Sequence, residues 1–187
     1  MMRVIAGIFR SRQLKGKPPA GIRPTSDKLR ETLFNVLGPR VHGAVVLDGF
    51  AGMGGVGIEA ISRGASFVYF VDQSRKACAI IRENLSSLEI SEGCRVVESD
   101  LGKTLDVFER DGTSFDIVFL DPPYEREELY LESLSTFGAR PLLNEGAVLV
   151  MEHSKRIDLP ESEGVLMRYR VLTQGDSTLS FYRAGGA

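Results

Sequence analysis

Three groups of residues have the types and spacing to do chemistry. Carboxylates follow four apolar runs: Asp48 after Ala44-Val45-Val46-Leu47, Asp72 after residues 67–71, Asp100 soon after Arg95-Val96-Val97, and Asp121 after residues 116–120. Glycines follow the first of them as Gly52, Gly54 and Gly57, a G-x-G-x-x-G pattern whose missing side chains let backbone approach a ligand at a helix N-terminus. Asp72 lies 20 residues after Gly52, where a carboxylate can take both hydroxyls of an adenosine ribose. That spacing fits a nicotinamide dinucleotide and S-adenosylmethionine alike. A pyrophosphate, however, needs its glycines directly after the strand, and here Asp48, Phe50 and Ala51 intervene. A carboxylate beside the turn repels a pyrophosphate and suits the cationic amino acid end of S-adenosylmethionine.

The third group is Asp121-Pro122-Pro123-Tyr124. Two prolines stiffen the turn and supply no N–H donors, so Asp121 and the turn carbonyls offer acceptors only. Such a turn cannot hold a phosphate but can hold a planar exocyclic amine. The Asp121 carboxylate and the Pro122 carbonyl each accept one N–H and turn the nitrogen lone pair toward an incoming methyl. Tyr124 can stack on an extruded base, an interaction worth roughly 1–3 kcal/mol. Asp100 would sit near an adenine amino group as an acceptor.

These residues need a scaffold that gathers strand ends. From residue 44 the chain alternates continuous apolar runs, turns and amphipathic segments, with helices expected at 55–63, after Asp72 (Ala77, Ile80, Ile81 and Leu85 on one face), at 101–109 and at 127–137. Runs at 147–152, 165–172 and 178–182 follow, the last two joined by residues 173–177 as an antiparallel hairpin. Four buried-type strands alternating with helices predict an α/β fold with a parallel sheet, and ligands bind such sheets beyond the carboxyl ends of the strands. Ahead of this lies a small hairpin or extended arm, the breaker cluster Lys17-Pro18-Pro19-Ala20-Gly21, and a helix capped by Thr25 or Ser26. That helix carries Leu29, Leu33, Val36 and Leu37 on its apolar face and ends at Gly38-Pro39.

The 187 residues, with 43% apolar composition, make a chain of one-domain size that buries roughly 70% of its unfolded surface. No run approaches the roughly 18 apolar residues of a membrane span, and the opening seven residues are charged too soon for a secretory signal, so a cytoplasmic protein without membrane association is expected. Cys78, Cys94, His42 and His153 lack metal-ligand spacing; they read as helix and loop residues, and no metal is expected. Residues 1–40 carry a net charge of +7 and the rest −9. A basic arm on an acidic body suits contact with a polyanion, though charge alone favours the commoner solvated run.

The chain resembles the RsmD-type 16S ribosomal RNA (guanine-N2) methyltransferases of bacteria. The resemblance runs from Arg3-Val4-Ile5-Ala6-Gly7, Arg10 and Arg12 through Arg23-Pro24-Thr25 and residues 30–35 to Asp48-Gly49-Phe50-Ala51-Gly52, Ser62-Arg63-Gly64-Ala65 and Asp121-Pro122-Pro123-Tyr124. It implies a class I methyltransferase fold, Rossmann-like, with a seven-stranded, mostly parallel sheet whose last strand is antiparallel. It further implies S-adenosylmethionine as donor, and as acceptor the 2-amino group of guanine 966 in 16S rRNA, within the small ribosomal subunit or an assembly intermediate. Donor binding would fall to Asp48, Phe50, Ala51, Gly52, Gly54, Gly57, Asp72, Gln73, Asp100 and Leu101. Asp121, Pro122, Pro123 and Tyr124 would be catalytic. Arg3, Arg10, Arg12, Lys15, Lys17, Arg23 and Thr25 would meet RNA, making residues 1–40 an RNA-contacting arm and docking helix before a methyltransferase domain over 41–187. Met53 stands where that turn commonly has Ser, and Gln174 where an aromatic residue commonly precedes Gly. A monomer is expected. Competing readings are an adenine amino-methyltransferase on DNA or RNA, a nicotinamide-dependent oxidoreductase, and an inactive RNA-binding module.

Overall fold

The computed structural model describes residues 2–16 and 26–185; Lys17, Arg23 and Thr25 therefore lie outside the described residues. The chain divides into two compact units, Met1–Leu101 and Gly102–Ala187. Among the described residues no helix is long and apolar enough to cross a membrane.

In the first unit, α1 (Asp27–Leu37) starts where Ser26 Oγ accepts the Leu29 N–H at 3.1 Å, and a short 3-10 turn, Gly38–Val41, follows it. Three parallel strands come next in the order β3-β2-β1: β1 (Val45–Gly49), β2 (Phe67–Asp72) and β3 (Cys94–Glu98). Between them run α2 (Gly55–Ser62) and α3 (Arg75–Ser87), the latter capped by Ser74. In the second unit, α4 (Leu101–Arg110), β4 (Phe115–Leu120), α5 (Glu128–Ala139) and β5 (Leu143–Ser154) lead to β6 (Ser162–Glu163), β7 (Leu166–Gln174) and β8 (Ser177–Ala184). Here β4 and β5 are parallel, β8 is antiparallel to both β5 and β7, and β6 pairs antiparallel at the outer edge of β7. The expected closing hairpin is β7–β8, turning at Gly175-Asp176. β6 is an addition to the seven expected strands, two residues long and without an apolar run to announce it.

The expected apolar face of α1 is rotated: Phe34 is buried and Val36 only half-buried, and Arg30 joins Leu29, Leu33 and Leu37 inside. Cys78 lies in α3 as expected, but Cys94 opens β3 and His153 is buried within β5, its Nε2 2.9 Å from Ser180 Oγ, where loops were expected.

The arm is docked along α2 and α3. Its hairpin closes through an antiparallel bridge between Arg3 and Gln13, with Val4 and Leu14 buried beneath. Glu59, in the middle of α2, accepts the Ile5 and Ala6 N–H groups at 2.7 and 3.0 Å. Ser62 Oγ accepts the Phe9 N–H at 3.0 Å, and Asn84 exchanges two hydrogen bonds with the Lys15 backbone. Close approach requires glycine at position 7: φ is +82°, and a Cβ there would sit 1.8 Å from the Ser62 carbonyl oxygen. Gly7→Ala is therefore expected to cost about 1–3 kcal/mol or more from left-handed strain plus displacement of the arm. Thermal unfolding checks this, and an unchanged midpoint would refute the tight docking.

Candidate active site

The carboxyl end of β1 runs into a turn of unusual backbone. Phe50 has φ +59°, and Gly52 and Gly54 are also left-handed. A non-glycine residue in that region costs on the order of 1–3 kcal/mol and persists where its surroundings enforce it, often at ligand sites. The enforcement is visible. Ala51 N–H donates to the Val71 carbonyl at 3.0 Å, and Gly52 N–H donates to Asp72 Oδ2 at 2.8 Å. Asp72 Oδ1 in turn accepts the Ser74 N–H at 2.7 Å, so this half-buried carboxylate braces both the glycine turn and the start of α3.

Asp48 is only 2% exposed, and its Oδ2 accepts the Gly57 N–H at 2.8 Å, tying β1 to the first turn of α2. Burial pushes its carboxyl up to about 8; the Gly57 N–H opposes that shift, Asp72 adds to it, and Arg30 opposes it. Gly57 was expected to make room for a ligand. Its missing Cβ also makes room for the Phe70 ring, which a Cβ would approach to 2.2 Å, so the glycine has a packing reason as well. Ala51 and Gly54 are buried in the turn, Gln73 is exposed between β2 and α3, and Asp100 is exposed beside the buried Leu101 that opens α4.

In the second unit Asp121 directly follows β4 and is half-buried, Pro122 is buried, Pro123 exposed and Tyr124 half-buried. Two side chains hold this turn from behind. The Tyr130 hydroxyl of α5 donates to the Pro122 carbonyl at 3.3 Å, and the Tyr124 hydroxyl lies 3.0 Å from Ser177 Oγ at the start of β8. Burial pushes the Tyr130 phenol well above its usual range, and Asp121, Tyr124, Glu152 and Glu127 push the same way. Tyr130, Ser177 and Glu152 were not foreseen.

The basic residues of the arm are spread out. Met2 Sδ lies near Gly55 at the start of α2, while Gly7 abuts Ser62 at its end, so this strand of the arm spans the eight-residue helix, about 12 Å. Arg3 is at the start, its Nε 3.6 Å from Asp27 Oδ2. Arg10 follows the tip. Arg12 donates to the Ser87 carbonyl at 3.1 Å at the last residue of α3, and Lys15 faces Glu83 at 4.0 Å. Beneath the arm, Arg30 and Glu59 are both 0% exposed and 3.9 Å apart. Arg30 also donates to the Arg3 carbonyl and to Asp27 Oδ1, and Arg63 donates to Glu59 at 2.8 Å. This buried network was missed. Its sequence signal was Glu59 standing alone in the otherwise uncharged Gly55–Ser62.

The family model described as "Conserved hypothetical protein 95" matches residues 2–183. The protein YlbH of Bacillus subtilis (strain 168) is 38% identical over 185 residues, covering 99% of this chain and 100% of that protein. "Ribosomal RNA small subunit methyltransferase D" of Escherichia coli (strain K12) is 35% identical over 159 residues, covering 85% of this chain and 78% of that protein. The solved structure of yhhF from Escherichia coli superposes with a TM-score of 0.84 at 33% identity, covering 98% of each chain.

Proposed function

The chain belongs to the RsmD family, the one described as conserved hypothetical protein 95, and from that membership we propose that it methylates the 2-amino group of a guanine in 16S rRNA, with S-adenosylmethionine as donor. The observation that carries the chemistry is the Asp121-Pro122-Pro123-Tyr124 turn, an acceptor-only surface held in place by Tyr130 and Ser177. S-adenosylmethionine, when bound, supplies an electrophilic methyl on a sulfonium. The residues of the first unit suit it: a buried Asp48 and a half-buried Asp72 flank the glycine turn, a setting that favours a cation and penalises the two charges of a pyrophosphate. In this reading Asp72 takes the ribose hydroxyls, Asp100 and Leu101 the adenine, and Phe50, Ala51, Gly52, Gly54, Gly57 and Gln73 the rest of the donor.

Asp121 and the Pro122 carbonyl accept the two amine N–H bonds, which leaves the lone pair as the only route for reaction. Tyr124 stacks on the base. As the nitrogen becomes cationic, Asp121 stabilises the charge, and the surplus proton leaves to Asp121 or to water. Alignment of the amine is worth on the order of 7–11 kcal/mol when reacting atoms are held in line. Arg3, Arg10, Arg12 and Lys15, strung along and beyond α2, suit an extended folded RNA more than a free nucleotide; Lys17, Arg23 and Thr25 belong to the same proposed surface. The substrate is then the small ribosomal subunit or its assembly intermediate, met in the cytoplasm by a monomer.

Calorimetry tests the donor assignment. A cationic ligand favours ionised Asp48, whose carboxyl at about 8 holds a proton at neutral pH, so binding of S-adenosylmethionine at pH 7 should release a proton. The apparent enthalpy then differs between phosphate and Tris buffers, and Asp48→Asn abolishes the difference. Tight binding of NAD in place of S-adenosylmethionine would return the oxidoreductase reading.

A further inference from the structure

The second unit holds a buried carboxylate that the mechanism above leaves unused. Glu152, near the end of β5, is only 4% exposed. The parallel register ends with Leu120 paired to Met151, so Asp121 and Glu152 are the next residues along two neighbouring strands that lie about 4.8 Å apart. Glu152, like Asp121 and Tyr124, lies near enough to the Tyr130 hydroxyl, which donates to the Pro122 carbonyl, to push that phenol further up. On its other side β5 pairs with β8, with Glu152 opposite Leu179 and Ser154 opposite Ser177, the residue that meets Tyr124. Asp121, Pro122, Tyr124 and Glu152 thus form one group at the ends of β4 and β5.

Guanine presents two donors side by side on its Watson–Crick edge, the 2-amino group and N1–H. Adenine presents its amine beside an N1 lone pair, which a carboxylate repels. We propose that Glu152 is the specificity-determining residue of this site, accepting N1–H of the guanine whose 2-amino group Asp121 and Pro122 hold. This rests on the reading of the D-P-P-Y turn as an amine-methylating site. It goes further by saying why the base is guanine, since D-P-P-Y alone reads only an amine. A buried acceptor left facing a lone pair rejects the wrong ligand far more strongly than a lost apolar contact does.

The test uses small ribosomal subunits reconstituted with guanosine or with 2-aminopurine riboside at the target position. The analogue keeps the 2-amino group but offers a lone pair at N1. Wild-type protein should methylate guanine at least about 100-fold faster than 2-aminopurine, in line with discrimination by a hydrogen-bonding site. Glu152→Gln, whose amide can accept from N1–H or donate to N1, should lower transfer to guanine roughly 10-fold or more and bring the ratio toward one. Comparing ratios between the two proteins cancels the intrinsic nucleophilicity of the analogue. S-adenosylmethionine binding by Glu152→Gln reports that the variant is folded, and if it is not, a wild-type ratio near one still overturns the role of Glu152. Equal transfer by wild type to both bases, or an unchanged ratio in a folded Glu152→Gln, overturns the role of Glu152. No transfer by wild type to the guanine subunit overturns the methyltransferase reading itself, and this inference with it.

Discussion

Asp121→Asn is expected to lower single-turnover methyl transfer by about 10²–10³-fold, the usual cost of removing one group aimed at developing charge, while leaving the affinity for S-adenosylmethionine within about twofold. The substitution keeps the shape of the residue after β4 and the Pro122 carbonyl held by Tyr130. What it removes is negative charge beside a nitrogen that becomes positive, and one acceptor for an amine hydrogen. In the proposed site donor affinity is assigned to other residues, the turn at Asp48 and Asp72. Asp72→Ala should accordingly show the opposite split, because it deletes the acceptor of the Gly52 and Ser74 N–H groups and loosens the turn itself. If both substitutions weakened donor binding alone, Asp121 would be a structural residue and not a catalytic one.

Glu59→Ala should be the most damaging single change to stability outside the apolar core. It leaves the buried Arg30 with Asp27 as its one remaining carboxylate among the described residues and strips acceptors from the Ile5 and Ala6 N–H groups and the Arg63 guanidinium. Breaking a buried ion pair from one side costs about 3–5 kcal/mol. For a chain of this length that corresponds to a fall in Tm of roughly 10 °C. Hydrogen exchange should show Ile5 and Ala6 losing protection before the strands do, since the arm loses its anchor first. Arg30→Met combined with Glu59→Gln should cost less than the sum of the two single changes, because the pair is removed together. A fully protected arm in Glu59→Ala would show that Val4 and Leu14 alone seat it.

The parallel strands and their helices were legible because each is a local signal. An apolar run ending in a carboxylate, followed by a capped amphipathic segment, contains everything needed to place β1, α2, β2 and α3. The D-P-P-Y turn was visible for the same reason: it is four consecutive residues directly after β4. What escaped is non-local. Arg30 and Glu59 lie on different helices and reveal themselves only when α1 and the arm pack over α2, which also rotates the buried face of α1 from Val36 to Phe34. Tyr130 carried no signal within the 127–137 helix, and its role shows only where its hydroxyl meets the Pro122 carbonyl. Glu152 looked like a strand end, and only the β4–β5 register, which pairs Leu120 with Met151, brings the ends of these strands together. Gly57 was assigned to the donor because a missing side chain lets backbone approach a ligand; its second reason, room for the Phe70 ring, needed the packing of α2 on β2.

The arm shows the same contrast. Its charge was readable, but not its path: Arg3 lies by the start of α2, whereas Arg12 reaches the last residue of α3. A cationic strip that long and that firmly anchored fits a preformed surface for phosphates, with no ordering cost left for the moment of binding.

The most direct measurement is transfer of labelled methyl from S-adenosylmethionine to small ribosomal subunits lacking their native modification, followed by mapping of the labelled nucleotide, with naked RNA, DNA and the Asp121→Asn protein alongside. The account predicts label on the 2-amino group of one guanine of the 16S rRNA, lost with the variant. Label on adenine or on DNA, or no label from a protein that binds the donor, would contradict it.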